Sequence, residues 1–200
     1  MLKTIIRLAG FWAMISASTA YAEDLVLLDT KTASEFQMFL GDAGNWRQAV
    51  RENSDTSAQG RVSVTPSDQY GGLALSWKGR GEGQFYLASS SPEDLTEHLE
   101  NGSAMAFLIK VTKPPKRQTV LRMGCGYPCA GNADITKVLK ALPKDEWLRL
   151  TVDLQCFASE GLDATRVDTP FLLLTEGKLA LEIADIRLVP GLREKAAIRC

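Results

Sequence analysis

The chain has 200 residues, 23 Lys and Arg against 24 Asp and Glu, and one histidine. That length suits a single domain after any leader is removed, large enough to bury a core without metals. The charges are balanced and the basic residues fall singly, with no stripe, which argues against nucleic acid or an anionic lipid surface as a partner.

The first residues, MLKTIIRLAGFWAMISASTAYA, read as a cleaved signal peptide. Lys3 and Arg7 form a positive start, residues 8–15 an apolar stretch, and Ala20-Tyr21-Ala22 a small-x-small cleavage site. The apolar stretch is shorter than the roughly 20 residues a spanning helix needs, so no membrane anchor is expected. No cysteine follows the site to carry a lipid. The organisation expected is a signal peptide over 1–22, one domain over 23–190 and a C-terminal tail over 191–200, in a periplasmic or secreted protein. Such compartments permit disulfides. Cys125, Cys129, Cys156 and Cys200 allow three full pairings. Chain entropy gives about 2 kcal/mol for a Cys125–Cys129 loop and about 4 kcal/mol for Cys125–Cys156, so magnitude does not decide. The Cys125–Cys129 pairing is favoured because the two are neighbours across a Gly-Tyr-Pro turn.

From residue 25 the dominant period is two, the period of strands. Strands are expected over 25–28, 35–40, 46–50, 61–65, 73–77, 84–88, 104–111, 117–125, 147–156, 171–175 and 178–189. Turn residues separate them, at 41–44, 66–68, 78–83 and 113–116. A short helix should begin at Ser90-Ser91-Pro92-Glu93, where a hydroxyl cap, a proline and an acid favour helix initiation. Residues 133–142 carry Ile135, Val138, Leu139 and Leu142 at helical spacing. In the last strand the apolar parity slips, from Leu179, Leu181 and Ile183 to Ile186 and Leu188, as a β-bulge near Ala184-Asp185 would cause. The pattern predicts an all-β protein, an antiparallel β-sandwich or jelly roll with two short crossover helices.

Several stretches together resemble a known module: CGYPCAG, ADITKVLKALP, EWLRLTVDLQCF, the Gly161-Leu162-Asp163 turn, TPFLLLTEGKLALEIADIRL and Pro190. They are similar to the C-terminal galactose-binding-like domain of ExoP-type β-glucosidases of glycoside hydrolase family 3, best over 73–190. The resemblance implies a jelly roll of the carbohydrate-binding-module kind. In those enzymes the catalytic aspartate and the acid/base residue belong to two preceding domains. No position here matches either motif, so glucosidase activity does not carry over, and with a signal peptide directly before it the expectation is a module separated from its enzyme.

The residues supply little else of a catalytic kind. His98 reads as a surface residue. The cysteines lack paired zinc spacing, and neither a GxSxG nor a phosphate-cradling glycine motif is present. Gly79, Gly81 and Gly83 belong to a hairpin. Asp153 and Glu182 both have outward parity and could share a surface, as a glycosidase pair would require, but solvated acids paired with Arg149 or Arg187 explain them more simply. No organic cofactor is expected. Asp185, at the bulge, is a candidate ligand for a structural calcium with oxygens from the first strands, or else a surface partner of Arg187.

Sugar sites combine an aromatic platform for the C–H face of a pyranose with polar groups that fix its hydroxyls. Trp77, Phe85, Phe107 and Phe157 have core parity. Tyr86 and Trp147 point outward, and Arg122, Arg149 and Asp153 could complete a carbohydrate groove with them on one sheet face. The plainer alternative is that Tyr86 and Trp147 cover a sheet edge or pack under a loop. Tyr127 and Trp46 are weaker, loop-borne candidates. The function expected is a non-catalytic, exported, carbohydrate-binding module-like protein, not an enzyme. The alternatives are a periplasmic module whose sheet face docks a protein partner, and a hydrolase that uses outward carboxylates.

Overall fold

The computed structural model describes residues 22–29 and 35–200. The expected signal peptide therefore lies outside the described residues except for Ala22. Among the described residues no helix is long and apolar enough to cross a membrane.

Among the described residues, thirteen strands form two antiparallel sheets. In chain order they are β1 (Leu25–Leu28), β2 (Gln37–Asp42), β3 (Asn45–Ala49), β4 (Asp55–Thr56), β5 (Val62–Pro66), β6 (Leu73–Lys78), β7 (Gly83–Ala88), β8 (Ala104–Lys113), β9 (Thr119–Gly124), β10 (Ala130–Asp134), β11 (Trp147–Asp153), β12 (Thr169–Thr175) and β13 (Lys178–Val189). Sheet I runs β11-β8-β13-β6-β5-β4, with β1 also paired to β13, and sheet II runs β10-β9-β12-β7-β2-β3. Three short helices join them: α1 (Thr96–Glu100), α2 (Thr136–Ala141) and α3 (Gln155–Ser159).

Alternation decides which side chains meet between the sheets. Leu75, Trp77, Phe107, Ile109, Leu150, Leu181 and Ile183 of sheet I face Leu40, Phe85, Leu87, Leu121, Phe171 and Leu173 of sheet II, and none is more than 3% exposed. Phe171 is the hub, edge-on to Phe107 at 5.5 Å and to Phe85 at 6.4 Å between ring centroids. The Trp77 indole N–H donates to the Gly83 carbonyl at 2.8 Å, so even this buried polar group is paired. The bulge is present. The β13–β8 register shifts between Ala184 and Arg187, and Asp185 has φ +50°. This extra residue lets both Ile183 and Ile186 point into the core.

Five expectations need correction. The helix expected to start at Ser90-Ser91-Pro92-Glu93 begins only at Thr96, because Glu93 is held in a bridge to Val167. Residues 130–134, expected as turn and helix start, form edge strand β10. Its inward residues are only Gly131 and Ala133, so it shows no apolar alternation. Gly131 must be glycine, because a Cβ there would lie 2.1 Å from the Phe157 carbonyl oxygen. The strand over 147–156 ends at Asp153, where the Asp153 carboxylate accepts from the Gln155 N–H at 3.0 Å and the chain turns into α3. Cys156 and Phe157 are buried from that helix, which is why the apolar pattern runs on past the strand's end.

Residues 191–200 are docked rather than a loose tail, residues 191–193 on the turn at 101–102 and residues 197–198 on β11. Ile198 N–H donates to Thr151 O at 3.1 Å and Asp153 N–H to Ile198 O at 2.9 Å. Cys200 is bonded to Cys156, 44 residues earlier, and Cys125 to Cys129, each pair with Cα atoms 5.1 Å apart. His98 is buried, with Nδ1 3.0 Å from Ser103 Oγ. Desolvation pushes its pKa below the ordinary 6.5 against the opposing pull of Glu97 and Asp24, so the ring is neutral at pH 7.

Candidate functional site

Strand register lays out the outer face of sheet II in rows. One row crosses the sheet as Asn132, Arg122, Leu172, Tyr86, Phe39 and Ala49. The next runs Asp134, Val120, Leu174, Gln84 and Gly41. Across this face lies a groove of about 730 Å³. Tyr86, Leu172 and Gly124 line its floor, and Glu82, Gln84, Arg122, Asn132 and Asp168 add polar groups. Glu82 also borders a smaller depression of about 330 Å³ with Arg117, Gln118 and Glu176.

Two exposed aromatic residues stand at opposite margins of the sheet, Trp46 on β3 (48% exposed) and Tyr127 beyond β9 (fully exposed). Each is held by local chemistry. Trp46 follows a turn organised by buried Asp42, whose carboxylate accepts from the N–H groups of Gly44 at 2.9 Å and Gln59 at 2.7 Å. Burial would raise the Asp42 pKa. Hydrogen bonds from Ser57 and from the backbone of Gly44, Gln59 and Arg61 outweigh it and hold the carboxyl below its ordinary value. Gly41 has no side chain because a Cβ would come within 2.9 Å of the Trp46 carbonyl. Tyr127 sits in the loop closed by the Cys125–Cys129 disulfide and by the Cys125 N–H to Cys129 O bond of 3.0 Å.

Between these margins the polar side chains are already oriented. Arg122 Nε donates to Asn132 Oδ1 at 2.7 Å, which leaves the rest of the guanidinium for a ligand. Gln84 Nε2 donates to Glu82 Oε1 at 2.7 Å. Tyr86 plays a different part from the one expected. It is 7% exposed, stacks on Phe39 at 5.1 Å and donates its hydroxyl to Trp46 O at 2.9 Å. Desolvation, partly offset by Arg47, pushes its pKa up to about 12. Tyr86 is therefore a floor that fixes Trp46, not an open platform.

The five residues expected to form one groove do not come together. Tyr86 and Arg122 lie in the sheet II groove, whereas Trp147 and Arg149 lie on the outer face of sheet I. Trp147 Nε1 donates to Gln69 Oε1 at 2.6 Å, and Arg149 pairs with Asp185 at 3.0 Å. Asp153 is buried at 4% exposure under the C-terminal segment, 3.3 Å from Arg193 Nε. Outward parity says only that a side chain leaves the core, and a sandwich has two outer faces. Sequence reasoning passed over Gln84, which shares the parity of Tyr86, and Asn132, which lies on the missed strand.

Asp185 does not suit calcium. One carboxylate oxygen accepts from Arg187 Nε at 2.7 Å and the other from Arg149 at 3.0 Å, and two guanidiniums at a carboxylate repel a cation. Among the described residues there is no group of three or more His, Cys, Asp or Glu side chains that could hold a metal ion. The acids considered for hydrolysis are each paired, Glu182 with Lys110 at 2.5 Å and with Ser67, and Asp153 with Arg193.

A two-sheet antiparallel sandwich of this topology, with a groove across one outer face, defines a galactose-binding-like fold of the kind found in carbohydrate-binding modules. The Exop_C family, described as galactose-binding domain-like, matches residues 35–188, and the chain belongs to that family. The extra C-terminal domain (X) of the exo-1,3/1,4-β-glucanase ExoP from a Pseudoalteromonas species is similar, with TM-score 0.68 and 19% identity over 83% of this chain and 92% of that one. Against the whole ExoP enzyme the match covers 88% of this chain and 21% of the enzyme, at TM-score 0.68 and 20% identity. A family 11 carbohydrate-binding module from Clostridium thermocellum, solved with a β-1,3-1,4-mixed-linked tetrasaccharide, aligns at TM-score 0.52 and 13% identity over 88% of this chain and 98% of that one. At these identities the likeness establishes the fold. No curated protein matches the chain.

Proposed function

We propose that this protein is a non-catalytic, exported carbohydrate-binding module that holds a poly- or oligosaccharide in the groove of sheet II. The observation that carries the reading is the pairing of exposed Trp46 and Tyr127 at opposite margins with pre-oriented Arg122, Asn132, Gln84 and Glu82 between them. Aromatic faces take the apolar C–H surface of a pyranose, and the amides, guanidinium and carboxylate take its hydroxyls. Five strand spacings separate β10 from β3, about 24 Å, which leaves room for several sugar rings in a row. The backbone carrying each aromatic is fixed, by the Tyr86 hydroxyl on the Trp46 carbonyl and by the Cys125–Cys129 disulfide around Tyr127, so little backbone ordering opposes binding. The accessory and binding-module character of the similar structures supports a role without catalysis, and the two disulfides support an oxidising, extracytoplasmic compartment, periplasmic or secreted.

Electrophoresis through gels containing soluble polysaccharides tests this. Retardation is expected on at least one neutral polysaccharide, with mixed-linkage β-1,3-1,4-glucan the first choice. Migration unchanged on every polysaccharide would refute the reading and favour a protein-docking module.

A further inference from the structure

The groove accounts for two of the three large apolar side chains that are exposed among the described residues. The third, Tyr70, is 64% exposed and belongs to the turn between β5 and β6 of sheet I. This turn folds over the outer face of sheet I. Ser67 hydrogen-bonds to Glu182 of β13, and Gln69 accepts from the Trp147 indole of β11 at 2.6 Å. The Tyr70 ring meets the Trp147 ring edge-on at 5.3 Å and 75°. Two backbone bonds, Ser67 N–H to Gly72 O at 2.9 Å and Gly72 N–H to Gln69 O at 3.0 Å, fix the turn. Tyr70 has φ +54°, a conformation that glycine adopts without strain and a bulky residue rarely does. The chain thus holds an exposed aromatic ring in a strained, over-determined position, a pattern that marks functional sites.

We infer that the Tyr70–Trp147 corner is a second glycan contact, one that takes a pyranose of a neutral polysaccharide, so that the protein binds sugar on both outer faces; this rests on the sugar-binding reading of the sheet II groove. The size of the patch argues for a small unit. It presents two rings, well below the roughly 800 Å² per partner that a specific protein interface needs. The paired charges beneath it balance one another. Lys110 pairs with Glu182 at 2.5 Å, Arg149 with Asp185 at 3.0 Å, and Arg187 with Asp185 and with Asp24 at 3.4 Å. Exposed Asp68 in the same turn and Glu146 beside Trp147 add unpaired negative charge, which disfavours an anionic ligand. A cationic ligand is disfavoured because Lys110 Nζ already lies over the Trp147 ring at 5.3 Å. What is left is an aromatic corner with a phenol, an amide and an ammonium beside it, the combination that suits a neutral pyranose. Two contacts on opposite faces would let one molecule bridge neighbouring polysaccharide chains, raising avidity on a polymer over that on an oligosaccharide.

Indole N–H signals of ¹⁵N-labelled protein, titrated with the β-1,3-1,4-mixed-linked tetrasaccharide, separate the two contacts. The Trp46 and Trp147 signals are both expected to move, with independent saturation. The Trp77 signal should stay, since that indole is buried on the Gly83 carbonyl. Tyr70→Ala should weaken the Trp147 response by about tenfold, the loss expected for one aromatic contact, and leave the Trp46 response intact. A Trp147 signal that stays put while Trp46 moves overturns the second contact and leaves the groove standing. Movement of Trp147 alone overturns the groove and with it the binding on both faces inferred here, while movement of neither overturns both contacts. A Trp147 shift that follows protein concentration instead of sugar would assign the corner to self-association and overturn the inference.

Discussion

The Cys156–Cys200 bond is expected to contribute more to stability than any other single tether. It closes a segment of 44 residues, for which the chain-entropy relation gives about 4 kcal/mol, against about 2 kcal/mol for Cys125–Cys129 at a separation of four. The bond also holds the C-terminal segment on β11, where Ile198 and Arg193 cover the buried carboxylate and last backbone groups of that edge strand. Cys200→Ser removes the tether while leaving the buried Cys156 side chain in place. With an unfolding entropy of about 2.1 cal/mol/K per residue over about 170 residues, a loss of about 4 kcal/mol lowers Tm by about 11 °C. Thermal unfolding followed by far-ultraviolet circular dichroism, with the other disulfide intact, measures it. A fall of less than about 3 °C would refute the reasoning, because the cross-link would then not be restricting the unfolded chain as the entropy relation requires.

Three further predictions concern the frame of the site. Gly131→Ala forces a methyl onto the Phe157 carbonyl and should cost about 1–3 kcal/mol in urea unfolding, displacing α3 from β10. Asp42→Ala removes the buried acceptor that the N–H groups of Gly44 and Gln59 use, so a loss of about 1 kcal/mol is expected, together with weaker sugar binding as the Trp46 turn loosens; unchanged Trp46 fluorescence would contradict the link. The Tyr86 hydroxyl titrates near 12 in the fold and near 10 when unfolded, so the folded state holds its proton more tightly. That contribution, up to about 3 kcal/mol, is fully present below pH 10 and is lost as pH rises from 10 through 12. Tyr86→Phe should flatten this alkaline loss, and identical pH profiles for the two proteins would show the phenol to be uninvolved.

Much of the frame is legible from alternation alone, because every inward residue of β6, β8 and β13 is apolar and every strand there is long. The slip of parity in β13 even locates the bulge at Asp185. What escaped lies where packing, not patterning, sets the structure. Strand β10 has a glycine and an alanine inward because α3 presses on it, so nothing apolar announces it. The turn into α3 leaves Cys156 and Phe157 buried, as a longer strand would have done. The site was half legible for a related reason. Tyr86, Arg122, Trp147 and Arg149 are all correctly outward, but outward on two sheets, and only pairing tells Tyr86 of sheet II from Trp147 of sheet I. Asp153 has outward parity too, and is covered by residues forty positions later.

The central claim is that the sheet II groove holds sugar between Trp46 and Tyr127. Calorimetric titration of the wild type and the Trp46→Ala/Tyr127→Ala double variant with the polysaccharide that retards the wild type most strongly tests it. Loss of two aromatic contacts predicts at least about a tenfold rise in Kd with the unfolding midpoint little changed. An unchanged Kd in a folded double variant would contradict the account.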